Sequence, residues 1–149
     1  MAHRLTTMWG LVALSVFVTG CVTEPAPIVI YEDKRDSIWL KFDPEATGAG
    51  HSHPVALPVE RMEKILGGIL VADRSQIIGT IKGDETDWTP AFTPTQVKTL
   101  APLLSEALRK ASPKDMATFY LIIMDHERGR LVTSGGLFVR GRYLYFILA

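Results

Sequence analysis

Cysteine is almost missing from this chain: Cys21 is the only one in 149 residues. A lone cysteine rules out an internal disulfide, a paired-cysteine redox centre and a zinc site built on several thiolates. Excess charge is missing too, because 16 basic side chains face 16 acidic ones. Without a basic surplus there is no electrostatic footprint for nucleic acid. No acidic tail and no internal repeat occur. Glycine-rich phosphate loops, dinucleotide fingerprints and the G-x-S-x-G elbow are likewise missing. What remains is 47% hydrophobic and 21% charged. That composition suits one globular domain and has neither the charge nor the low hydrophobicity of a disordered chain.

The N-terminus stands apart from that domain. Arg4 and the amino terminus are positive, and Met8–Val18 (MWGLVALSVFV) is apolar throughout. Small residues then lead to Cys21. This order, positive then apolar then small, is that of a secretory signal. The run is shorter than the roughly 20 apolar residues a spanning helix needs. A buried core helix is the competing reading, but the polar, proline-rich TEPAP that follows at once argues against it.

Val18-Thr19-Gly20-Cys21 resembles a bacterial lipobox, in which an aliphatic residue and two small ones precede the cysteine. The resemblance covers residues 1–21. It implies a signal peptide over 1–20, cleavage between Gly20 and Cys21, a diacylglyceryl group on the Cys21 thiol and acylation of the new amino group. Two or three acyl chains would hold the chain stably at a membrane, because each buried methylene adds about 0.8 kcal/mol. Ordinary secretion would instead leave Cys21 as a stray reactive thiol. An aspartate after the cysteine favours inner-membrane retention in Gram-negative lipoproteins. Val22 stands there, so the resemblance implies the periplasmic face of the outer membrane in such a cell, and the single cell membrane in a Gram-positive one.

Removal of Arg4 with the signal takes the 16 basic side chains to 15, against 16 acidic. With the mature chain so near neutrality, lipid and not net charge is expected to hold it at the membrane. Residues 21–27 form the tether. The six from Val22 to Pro27 span at most about 20 Å, so the domain sits close to the bilayer.

Residues 28–149 read as one α+β domain: an antiparallel sheet of about five to six strands, two helices and a C-terminal three-stranded meander. Residues 28–31 and 37–42 are β-prone runs around a charged turn. DPEATGAGHSHP is a loop. Pro58 opens a helix in which Val59, Met62, Leu66 and Ile69 recur at helical spacing, with Ile65 beside them, and Gly67-Gly68 ends it. ILVAD and QIIGTIK read as two strands, and GDETDW as a loop. Thr93, Pro94 and Gln96 give an N-cap, a first-turn proline and a capping box. Phe92 and Val97 are placed as a hydrophobic staple. Val97, Leu100, Ala101, Leu104, Leu108 and Ala111 form one stripe. Pro102 predicts a kink or restart near Ala101. ATFYLIIM, RLVTSGGLFV and YLYFILA, separated by DHERG and RGR, predict the meander. Gly135-Gly136 predicts a bulge or a close backbone approach in its middle strand.

FYLIIM and YLYFILA are apolar at odd and even positions alike, whereas a half-exposed strand should alternate. Central strands of an ordinary core are the plainer explanation. The other is a face that meets a protein partner, a second copy or lipid.

Chemistry-bearing residues are few. His51 and His53 in HSHP share a face if extended, and imidazole is a common metal ligand. A zinc site needs a third protein ligand, and beyond the signal the remaining histidine is His126. The expectation is a solvated loop with locally hydrogen-bonded histidines, and no metal or cofactor. Ser134 lacks a nucleophile elbow, Asp125-His126 sits in a turn, and DETD lacks calcium-loop spacing. The function expected is that of a membrane-anchored lipoprotein, a non-enzymatic binding or accessory module of the cell envelope. Its partners would be the membrane, through lipid, and an envelope protein or a second copy. The alternative is a small envelope enzyme or metal-dependent factor using His51 and His53.

Overall fold

A computed structural model describes residues 24–72, 88–125 and 129–149. Seven strands and two helices follow in the order β1 (Ile28–Glu32), β2 (Asp36–Phe42), α1 (Val59–Gly67), β3 (Leu70–Ala72), β4 (Trp88–Pro90), α2 (Pro94–Lys110), β5 (Asp115–Asp125), β6 (Gly129–Arg140) and β7 (Tyr143–Leu148). The main sheet has five strands in the order β1-β2-β5-β6-β7, and every neighbouring pair is antiparallel. The fold is therefore α+β, with the last three strands forming a meander.

Local chemistry explains most of these elements. Asp33 closes the first hairpin: its Oδ1 accepts from the amides of Arg35 and Asp36, both at 2.7 Å, and its Oδ2 from the Tyr31 hydroxyl at 2.7 Å. Those bonds hold the Asp33 carboxyl below its ordinary pKa, the Asp36 amide most of all. In α2 the capping box is complete: the Thr93 side chain accepts from the Gln96 amide and the Gln96 side chain from the Thr93 amide. Helix α1 begins at Val59, one residue later than expected, with Pro58 as its cap. The Pro58 carbonyl accepts from the amides of Arg61 and Met62.

The predicted stripe of α2 is buried along its whole length, from Val97 to Ala111. Helix α2 packs on β1, β2 and β5, and α1 packs on α2. Facing them from the sheet are Ile38, Leu40, Ala117, Phe119, Leu121, Leu137 and Val139, all buried. Phe92, just before α2, meets Phe119 and Phe146 edge-on, with ring centroids 5.8 and 6.0 Å apart.

Several expectations need correction. The helix α2 runs unbroken through Pro102, which lies on its exposed side. On that side the Lys98 carbonyl, which Pro102 cannot serve with an amide, can be met by water, so the helix does not restart there. Register is continuous through Gly135 and Gly136, so neither is a bulge; both serve close approach. A Cβ on Gly135 would collide with the Ile147 carbonyl and lie 2.7 Å from Phe119 Cζ. The irregularity falls instead between Val29 and Tyr31, in β1. Strand β3 pairs with β4, whose Trp88 was expected in a loop. The QIIGTIK segment lies outside the described residues.

The meander's last strand is an edge strand and not a central one. Its inner side chains, Leu144, Phe146 and Leu148, are half-buried against the core, and the alternate ones are exposed. Both helices lie on one face of the sheet, which is the core, and among the described residues no helix covers the other, open face.

Candidate functional site

The loop between β2 and α1 is stitched across one end of the sheet. The His51 amide donates to the Pro113 carbonyl, Ser52 N–H to Val139 and Val55 N–H to Leu108, at 2.7–3.0 Å. The Gly141 amide donates to Ser52 Oγ at 2.8 Å. Gly50 makes this course possible. Its φ of 75° is in the left-handed region, and a Cβ there would collide with the Pro113 carbonyl.

This path turns both histidines inward, against the expectation of a solvated loop. His51 is 4% exposed and His53 6%. His51 Nε2 lies 2.7 Å from Asp43 Oδ2, while Asp43 Oδ1 accepts from the Glu45 amide at 2.9 Å. In the neutral imidazole this arrangement puts the proton on Nε2 and the lone pair on Nδ1. His53 Nε2 accepts from the Val139 amide at 3.4 Å. The two rings meet edge-on with centroids 5.7 Å apart. The His51 ring also stacks on Phe138 at 4.2 Å, and Phe138 stacks on Tyr145 at 5.0 Å. This three-ring stack runs from the loop to the edge strand on the open face.

A cleft of about 400 Å³ borders the stack, lined by Glu45, His51, Met116, Phe138, Arg140 and Ile147 among others. Its chemistry is limited. None of its lining residues carries a hydroxyl or thiol, so no side-chain nucleophile lies beside the Asp43–His51 pair in this cleft. His51 Nε2 is taken by Asp43, and the Nδ1 atoms of both histidines are buried without a hydrogen-bond partner. A general base must reach its substrate's proton directly or through one water, and neither imidazole presents a nitrogen for that. No group of three or more metal-ligating side chains occurs among the described residues. The arrangement can fix the loop; the two nitrogens without partners, His51 Nδ1 and His53 Nδ1, are enclosed.

The other sequence candidates are not brought together. Ser134 is a strand residue of β6, and its hydroxyl donates to the Ala149 carbonyl at 3.4 Å. Val18 to Val22, the DETD turn and His126 lie outside the described residues, as does the Asp125 side chain.

Sequence reasoning missed Asp43 as the partner of His51. The Asp-Pro step marks a turn, but a bond across eight residues of loop leaves no periodic signal. The open face corresponds to the less plain of the two explanations for the apolar strands. Opposite the helices, exposed Val29, Met124, Val132, Tyr143, Tyr145 and Ile147 accompany half-buried Trp39, Tyr120 and Phe138. Lys41 lies over the Trp39 ring at 5.2 Å. Among the described residues no helix is long and apolar enough to cross a membrane. No protein-family model, curated protein or solved structure matches the chain.

The histidine loop yields a stability prediction. His51→Ala leaves the Asp43 carboxylate without its ring partner, and losing one member of a buried charged hydrogen bond costs about 2–3 kcal/mol. Urea denaturation should show that loss, and the melting temperature of the unaltered protein should not change with EDTA. Burial first, and His51 second, hold His53 below its ordinary pKa, while Asp115 opposes them. The folded state thus binds this proton less readily than the unfolded one. The His53 contribution is complete above about pH 6.5 and is lost as the pH falls below it. Mild acidification should lower the melting temperature of the unaltered protein more than that of His53→Asn. Equal acid sensitivity in the two would count against this assignment.

Proposed function

We propose that the protein is a lipid-anchored bacterial lipoprotein, a non-enzymatic binding or accessory module of the cell envelope. The observation that carries the binding reading is the open sheet face. Tyr143, Tyr145 and Ile147 are 66%, 45% and 47% exposed on it along β7, and Val132 and Met124 are exposed toward its other end. A row of exposed large apolar and aromatic side chains on one strand is the kind of surface that marks contact sites. The histidines, which would have carried an enzymatic or metal-dependent reading, are committed to Asp43 and to the Val139 amide. The anchor rests on the Val18–Cys21 lipobox and on the apolar run before it. With Val22 after the cysteine, the location proposed for a Gram-negative cell is the periplasmic face of the outer membrane.

Metabolic labelling with a fatty acid tests the anchor. Cys21→Ser removes the thiol that accepts the diacylglyceryl group, so the protein should lose its label and stay uncleaved after Gly20. Unchanged label in the mutant would sink the lipoprotein reading.

A further inference from the structure

The tether joins the sheet at one particular end. Ile28 pairs with Leu40, so the residues before it run back beside the end of β2. Glu24–Pro27 accordingly line a hollow with Lys41 and Phe42. Phe42 pairs with Asp115, and the β5–β6 register brings the start of β5 level with the end of β6, where Arg140 pairs with Tyr143. The tether and the β6–β7 hairpin therefore leave the sheet at the same end. They are four strand spacings apart, roughly 19 Å.

That end is basic and aromatic on its surface. Lys41, Arg140 and Arg142 are exposed, as is Tyr143, and Tyr145 and Ile147 continue along the open face. The exposed acids there are Glu24 and Glu45. Asp43 is turned in to His51, and Asp115 is half-buried with its carboxylate on the Ser112 amide. Tyrosine rings, arginines and lysines together suit the headgroup layer of a bilayer, where an apolar body and a polar tip are both satisfied.

The geometry points to a lipid-facing corner: Lys41, Arg140, Arg142, Tyr143, Tyr145 and Ile147 rest on anionic phospholipid headgroups of the membrane that holds Cys21. This deepens the lipid-anchor reading and rests on it. The acyl chains supply the hold, and the corner sets the orientation. A tether of at most about 20 Å keeps this end of the sheet beside the bilayer, so weak contacts suffice. A second copy is the less favoured occupant, because pairing the corner with itself would bring Arg140 and Arg142 against their own copies. The rest of the open face, from Trp39 to Met124, is left free for another partner.

The test uses the mature chain from Cys21, with its single thiol coupled to a maleimide-bearing lipid in vesicles. Attachment then does not depend on processing in a cell. A gadolinium-chelating headgroup lipid reports, through amide relaxation, which residues lie at the surface. In phosphatidylethanolamine–phosphatidylglycerol vesicles the enhancement should centre on residues 140–147 and Lys41, several-fold above that at Val132. In phosphatidylcholine vesicles, or with Arg140→Gln and Arg142→Gln together, it should flatten. Each basic side chain near an anionic leaflet is worth about fivefold, so the double variant without its lipid should partition about 25-fold less onto the anionic vesicles. An enhancement centred elsewhere, or equal in the two lipids, would overturn the corner. So would vesicle-independent, concentration-dependent shifts of the same residues, which would assign the surface to a second copy. Failure of fatty-acid labelling in cells would sink the anchor alone, since the vesicle profile is obtained with a chemically attached lipid.

Discussion

Deleting Tyr143–Ala149 is expected to unfold or aggregate the domain. Strand β7 pairs with β6 from Gly135 to Arg140 and brings Leu144, Phe146 and Leu148 against the core. Phe146 lies 5.6 Å from Phe119 and 6.0 Å from Phe92, so it closes one side of the aromatic cluster under α2. A fully buried Leu or Phe contributes about 1.5–3 kcal/mol. These three are only half-buried, but their loss also uncovers Leu137, Val139 and Phe119, which are buried with β7 in place. Set against a typical stability of about 5–15 kcal/mol, the combined loss removes much of what holds the fold. The truncated chain would also present β6, with its apolar inner row, as a new edge open to other chains. Thermal unfolding and light scattering would show the effect. A truncated domain with an unchanged melting temperature that stays monomeric would mean that β7 is a detachable tail.

Gly135→Ala should be the most damaging single methyl in the sheet. The added carbon points at the Ile147 carbonyl and at the Phe119 ring. The first is backbone of a paired strand, and the second is hemmed in by Phe92 and Phe146, so neither can yield cheaply. Overpacking of this kind costs about 1–3 kcal/mol, which lowers the melting temperature by roughly 5–10 °C in a domain of this size. Gly67→Ala is the matching control. That glycine ends α1 in open space, and alanine there should stabilise the helix by about 0.5–1 kcal/mol. Two glycine-to-alanine changes of opposite sign would separate close approach from backbone entropy. If Gly135→Ala melts with the unaltered protein, the close approach does not constrain the sheet.

Elements with dense local signals were legible in the sequence. The capping box at Thr93–Gln96, the six-residue stripe of α2 and the alternation of Ile38, Leu40 and Phe42 each rest on spacing within a few residues, and each takes its expected place. Strand β3 lies within ILVAD, as expected, but its partner β4 was not legible, because a three-residue strand carries no period and Pro90 argues against strand. Strand β7 misled in a particular way. Its unbroken apolar run suggested a central strand, yet it is an edge with one half-buried row and one exposed row. Apolar character reports what a strand can bury, and only the topology decides what is offered to it. The histidines failed for the opposite reason. Their neighbours are loop-forming, so the sequence suggested solvent. Their burial is imposed by Pro113, Val139 and Leu108, which lie far along the chain.

The β2–β5 seam also shapes how the chain folds. The pairings β1–β2, β5–β6 and β6–β7 join neighbours in sequence through short turns, whereas β2–β5 matches Asp36–Phe42 with residues 115–121 across both helices and the small ribbon. A local hairpin and a local meander can each form early, yet neither has a covered face until the long loop closes. Helix α2 spans that closure, because it packs on β1 and β2 on one side of the seam and on β5 on the other. The rate-limiting event is then the joining of two prebuilt pieces by the helix, and folding should slow with changes at Ile38, Leu100 or Phe119 far more than with changes in either turn.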